Sequence, residues 1–81
     1  MRKFEVMCEK IIMDKYRNNI LDILEVDACD EIEALNTVAK DLLKKYESEE
    51  LQPFNLDDGT LLLKSHKKTL PIITFKLKVI I

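Results

Sequence analysis

Glycine occurs once in this chain, at Gly59, and histidine once, at His66. A single glycine leaves no room for a glycine-rich loop that cradles phosphate, or for a G-x-S-x-G nucleophile elbow. Cys8 and Cys29 are the only cysteines. With His66 they make three soft ligands, one short of a structural zinc site, and two cysteines do not make a disulfide framework. A basic surplus is also missing. The formal net charge is −2 and the pI is near 5.4, which argues against a general nucleic-acid binder, because such proteins displace counterions with excess Lys and Arg. No run approaches the ~20 apolar residues that span a bilayer, so a membrane is not expected as a partner. The opening MRKFEVMCEK is interrupted by Glu5 and Glu9 and holds no apolar targeting core. The expected setting is cytoplasmic, with both thiols reduced.

What is present suits one small folded domain spanning residues 1–81. Hydrophobic residues make up 47% and charged residues 35% of the chain, a balance unlike that of a disordered tail. No linker, repeat or low-complexity tract divides it. In FEVMCEKIIM the apolar Phe4, Val6 and Cys8 alternate with Glu5, Met7 and Glu9, the period of a half-buried strand. YRNN follows, where Asn18 and Asn19 suit a tight hairpin. ILDILEVDA then places Ile20, Leu24, Val26 and Ala28 on one face of a second strand, with the register open by one residue.

The stretch EVDACDEIEAL, residues 25 to 35, changes period at Asp30 and carries five acidic residues. Asp30 is a good N-cap, Glu33 stands three positions later as in a capping box, and Glu31 and Glu33 complement the positive end of a helix dipole. Ile32, Leu35, Val38, Ala39, Leu42, Leu43 and Tyr46 form the apolar stripe of the predicted helix. ESEE reads as a solvated helix exit. LQPFNLDDGTLLLK reads as two short strands around a turn at Asp57-Asp58-Gly59, and SHKKT as a further turn. The chain closes on a long strand in which Ile73, Phe75, Leu77, Val79 and Ile81 alternate with Thr74, Lys76 and Lys78. Pro71 fits only its beginning or an edge.

One helix covers one sheet face. That face should carry Phe4, Val6, Cys8, Val26, Ala28, Phe75, Leu77 and Val79. Placing the first strand beside the last sets Glu5 and Glu9 against Lys76 and Lys78, and opposite-charge neighbours across strands favour that pairing. The predicted connectivity makes this central pair parallel. The fold class is α+β, a β-grasp-like ββαβ(β)β order with a mixed sheet and one helix packed on one face.

ILEVDACDEIEAL, LDDGTL and TLPIITFKLKVI resemble the second strand, acidic joint, acidic-Gly turn and final strand of ubiquitin-like β-grasp proteins. Bacterial immunoglobulin-binding domains share the simpler ββαββ plan. The opening hairpin-to-helix pattern is also similar to that of small phage and plasmid proteins of the DpnD/PcfM-like family. Ubiquitin-like conjugation and sulfur transfer need two C-terminal glycines on a free tail. This chain ends KVII, so the resemblance implies a binding module instead.

No catalytic, cofactor-binding or metal-ligating residue is expected, and no enzymatic activity. Cys8 reads as core. Cys29 precedes the helix, but its acidic neighbours oppose a reactive thiolate, and a structural role is favoured. Lys67 and Lys68 are expected to screen the acidic joint near Asp27, Asp30 and Glu31. Asp57 and Asp58 are too few ligands for calcium. The candidate partner-binding surface is the uncovered face. There Met7, Ile11, Leu21, Ile23 and Leu62 make more apolar surface than a small monomer usually shows, and Glu5, Glu9, Lys76 and Lys78 rim it. The expected function is a non-enzymatic adaptor or inhibitor that binds a protein through this face or an edge strand. The alternatives are a structural homodimer, or a phage-type protein that blocks a host nucleic-acid-handling defence complex.

Overall fold

A computed structural model describes residues 1–81. Strands β1 (Arg2–Met13) and β2 (Arg17–Ala28) form a long hairpin. Helix α1 (Glu31–Lys45) and a single 3-10 turn (Glu47–Glu49) lead to β3 (Leu51–Asn55), β4 (Leu61–Ser65) and β5 (Ile72–Val79). The five strands make one sheet in the order β2-β1-β5-β4-β3. The α+β class, the single helix on one face and the neighbouring first and last strands agree with the sequence.

Strand direction does not. Every ladder is antiparallel, β1 with β5 included, in a register that sets Val6 opposite Val79 and Glu9 opposite Lys76. The mixed sheet with a parallel centre is therefore corrected. Three strands follow the helix, and two short connections reverse the chain between them. β5 must then run with β3, and β3 leaves the helix running with β2, antiparallel to β1. The hairpin turn is also displaced. Asp14, Lys15 and Tyr16 make the reversal, with Asp14 N–H donating to the Tyr16 carbonyl at 3.2 Å. Asn18 and Asn19 are already in β2, opposite Ile12 and Ile11. Twelve residues at roughly 3.3 Å each span about 40 Å, which accounts for the 41 Å long axis.

The helix begins as its residues dictate. Asp30 Oδ1 accepts from Glu33 N–H at 2.8 Å, and Glu33 Oε1 accepts from Cys29 N–H at 3.4 Å. Along the helix Ala34, Val38, Ala39 and Leu42 are buried, while Leu35, Leu43 and Tyr46 are half-buried. Ile32, expected in the stripe, is 70% exposed, and Ala34, not expected there, is fully buried. The first helical turn touches the sheet through its smallest side chain, and Ile32 points past it. The core is completed by Phe4, Val6, Cys8, Leu61, Leu63, Phe75 and Leu77, all buried on the helix-facing side. Tyr46 stacks on Phe75 with ring centroids 4.9 Å apart.

The strand ends are closed by local hydrogen bonds. Ile80 N–H donates to the Glu5 carbonyl and Glu5 N–H to the Ile81 carbonyl, each at 2.9 Å. The β3–β4 turn is shut by Leu56 N–H to the Thr60 carbonyl at 2.8 Å and Asp58 Oδ1 accepting from Thr60 N–H at 3.0 Å. Gly59 sits there at φ 84°.

Asp30→Ala is expected to lower stability by ~1 kcal/mol through loss of the cap acceptor, read as a shift of the denaturant midpoint at constant slope. Nothing lies within 4 Å of a Cβ built on Gly59, so only its backbone angle resists substitution. Gly59→Ala should cost about 1 kcal/mol and Gly59→Asn visibly less; equal costs would mean the turn has rearranged.

Candidate interaction surface

β1 turns Lys3, Glu5, Met7, Glu9, Ile11 and Met13 away from the helix, because its even-numbered residues are the ones packed beneath it. The ladders place every sequence-predicted site residue on that same open face. Met7 lies between Ile23 and Lys78, Glu9 between Leu21 and Lys76, and Ile11 between Asn19 and Thr74. Glu5 lies opposite Glu25. Leu62 joins the face opposite Lys76. Leu21 and Ile23 are 61% and 53% exposed; Met7, Ile11, Glu5, Glu9, Lys76 and Lys78 are half-buried by their neighbours in the sheet. Met13, Ile72 and Phe54 also lie on this face, beyond the apolar residues that the sequence pattern assigns to it. Met13 continues the alternation of Met7 and Ile11, so that signal was present.

The rim charges stand in register without closing ion pairs with each other. Glu9 faces Lys76, yet its carboxylate accepts from Asn19 Nδ2 at 2.9 Å. The ion pair on this face is Lys3 to Glu25, 3.7 Å apart and about two-thirds exposed on both sides, a geometry of small energetic weight. It offsets the like-charged Glu5–Glu25 neighbours.

The two edges of the sheet differ. Glu5 bonds toward the β5 side with both its N–H and its C=O. Antiparallel alternation then directs the even-numbered residues of β1 and β2 toward each other, and leaves the odd-numbered residues of β2, from Arg17 to Asp27, with outward N–H and C=O groups. Ile23 N–H is met at 2.9 Å by Asp22 Oδ1 from the adjacent residue. On β3, the bonds of Leu56 to Thr60 and His66 to Glu50 turn the even-numbered residues inward toward β4, so Pro53 lies among the outward odd-numbered residues, where a missing N–H blunts an edge. β2 carries no proline.

The helix side holds a groove of about 520 Å³ between β2 and α1. Leu24, Val26, Val38 and Leu42 line it with Cys8, and Lys10, Asp22, Asp41 and Lys45 supply charge of both signs. Lys10 Nζ lies 3.3 Å from the Tyr46 hydroxyl. The groove exists because the helix, which approaches β2 as well as β1 and β5, still leaves part of the outer strand uncovered. Ile20, on this side of β2, is 49% exposed.

Both cysteines are free thiols. Burial first, then Asp22, pushes the Cys8 thiol up, against Lys10. Cys29 is exposed rather than packed, which corrects its structural reading. The Glu33 carboxylate is the main cause of its raised pKa, followed by partial desolvation, the hydrogen bond to Glu33 and the charge of Asp30. The basic turn is also elsewhere than expected. Lys67 Nζ pairs with Glu49 at 3.2 Å, and both side chains are mostly covered. The turn thus screens the helix exit, at the opposite end of the sheet from Asp27 and Asp30, and Glu49 is not simply solvated. No group of three or more His, Cys, Asp or Glu side chains is placed to share a metal ion. No helix is long and apolar enough to cross a membrane.

Comparison with protein-family models, with curated proteins and with solved structures finds no match for this chain.

Because Glu33 is the main cause of the raised Cys29 pKa, Glu33→Gln is expected to increase the thiolate fraction at near-neutral pH and accelerate alkylation at Cys29. Mass spectrometry of an iodoacetamide time course checks this, with buried Cys8 reacting later in both proteins. An unchanged Cys29 rate would remove Glu33 as the controlling charge.

Proposed function

We propose that this chain is a non-enzymatic protein-interaction module, an adaptor or inhibitor, whose contact surface is the open face of the sheet. The supporting observation is that Met7, Ile11, Leu21 and Ile23 share a face that no element covers, with Glu9 between Met7 and Ile11, Glu5 at one end, and Lys76 and Lys78 along the β5 side. A patch of this kind on a small domain marks a contact site. Its centre is apolar and adaptable, since methionine conforms to irregular surfaces, while the charges orient the partner. The matching partner is a protein surface with an apolar centre, basic toward β1 and acidic toward β5. The resemblance to ubiquitin-like domains extends to the order of elements along the chain and not to strand direction, since β1 and β5 run antiparallel here, so it adds little to this reading. A cytoplasmic setting belongs to the same proposal and agrees with two unpaired thiols.

The test pairs Met7→Gln with Ile11→Glu. Neither side chain faces the core, so the cooperative melt is expected to persist. Retention of a specific protein by the tagged chain should fall roughly tenfold or more, the loss typical of removing central contact residues. Undiminished retention by a folded double variant would overturn the open-face reading.

A further inference from the structure

Ile20, Leu21 and Ile23 are all about half exposed or more, yet they lie on opposite sides of one strand. Ile20 is beside the groove under the helix, and Leu21 and Ile23 are on the open face. A partner seated on either face covers only one set. An additional strand along the β2 edge borders both, and it also satisfies the outward N–H and C=O groups from Arg17 to Asp27. β3, the other edge, is closed to such pairing by Pro53. The exposed apolar residues and the unblunted edge therefore coincide on the same strand.

The chemistry of β2 says what the added strand is. Read from Arg17 to Ala28, it is basic at its start, apolar in the middle and acidic at its end. An antiparallel copy of itself reverses that order. We infer that β2 pairs with β2 of a second copy of this chain, about a two-fold axis at Asp22, to give a ten-stranded continuous sheet. In this register Arg17 meets the second copy's Asp27, and Asn19 its Glu25. Leu21 meets its Ile23, and Ile20 its Leu24. Leu21–Ile23 on the open face and Ile20–Leu24 on the helix side are apolar pairs, Val26 meets Asn18 as the one apolar–polar mismatch, opposite charges meet at both ends, and the odd-numbered residues that face outward become the hydrogen-bonded ones. Shifting one copy by two residues keeps the hydrogen-bond parity but sets Asn19 against Ile23, Ile20 against Asp22 and Asn18 against Leu24.

One contact opposes the pairing. Asp22 meets the second copy's Asp22 directly on the axis, and like charges opposite each other across strands are unfavourable. Asp22 also holds Ile23 N–H in the free chain, and that bond must yield when the strands join. Asp22 therefore keeps the association weak and reversible.

This inference shares Leu21 and Ile23 with the open-face reading and is separated from it by Met7 and Ile11, which lie away from the β2 edge. Sedimentation velocity over a concentration series tests it. Wild type should show a monomer–dimer equilibrium. Arg17→Glu and Asp27→Arg should each weaken it roughly tenfold or more, since each reverses two symmetry-related cross-strand pairs. An equimolar mixture of those two variants should regain wild-type association, because both charge pairs are complementary again in the mixed dimer. Asp22→Asn should tighten association. Leu21→Pro, which removes an outward N–H and no bond to β1, should abolish it. Ile11→Glu should leave it unchanged even where that substitution removes partner capture. A wild-type chain that stays monomeric throughout overturns the inference. So does a mixture of the two charge variants that associates no better than either alone. Loss of association in Ile11→Glu would also overturn it, moving the contact to the open face.

Discussion

One 15-residue helix is all that this chain lays against a five-stranded sheet. A sheet has two faces and a helix has one apolar stripe, so the remaining features follow from how that stripe is spent. It is laid over β1, β5 and the end of β2, where Phe4, Val6, Ala28, Phe75 and Leu77 lose nearly all contact with water. Two surfaces are left over. One is the whole opposite face. The other is the outer half of β2, which the helix approaches but does not cover, and the groove between them is the direct result.

Those surfaces are unlike in chemistry because the strands beneath them are unlike. The open face mixes apolar residues with carboxylates from β1 and ammoniums from β5, so any partner there reads a charge pattern across the sheet. The β2 edge reads along the strand instead, from basic to acidic. A strand edge offers hydrogen bonds in a fixed repeat, and side chains on both faces follow that repeat. A sheet face offers no such ruler. The same two residues, Leu21 and Ile23, belong to both surfaces, so docking on the face and pairing at the edge would extend one apolar patch rather than compete for it.

Much of the arrangement is legible in the amino-acid sequence. The two-residue alternation of β1 and β5 is uninterrupted, and each residue's face follows from its parity alone. This is why Met7, Ile11, Glu5, Glu9, Lys76 and Lys78 stand on the face that the pattern gives them, while Leu21 and Ile23 join them through the β1–β2 register. The cap at Asp30 was equally legible, because it depends on residues three positions apart. The errors share a cause. Ile32 satisfies the helical period, but the period cannot say where along the helix the sheet falls away. Asn18 and Asn19 are good turn formers, but twelve-residue pairing with β1 outweighed that local preference. The basic turn pairs with Glu49 rather than with the acidic joint at Asp27 and Asp30, because its place depends on strand direction.

Local periodicity and capping chemistry are short-range properties, set by sterics and hydrogen bonds within a few residues, and the amino-acid sequence by itself determined them: which segments are strands, where the helix begins, and which side chains share a face. Direction and adjacency in space were decided only by the tertiary structure. Two tight reversals after the helix made β5 antiparallel to β1, placed the basic turn beside Glu49, and left β2 as the open edge opposite an edge blunted by Pro53. The opposite charges of β1 and β5 agree with their being neighbours, but that agreement is the same for either direction of the strand. The number of chain reversals that the packed helix and short connections permit is what separates the two.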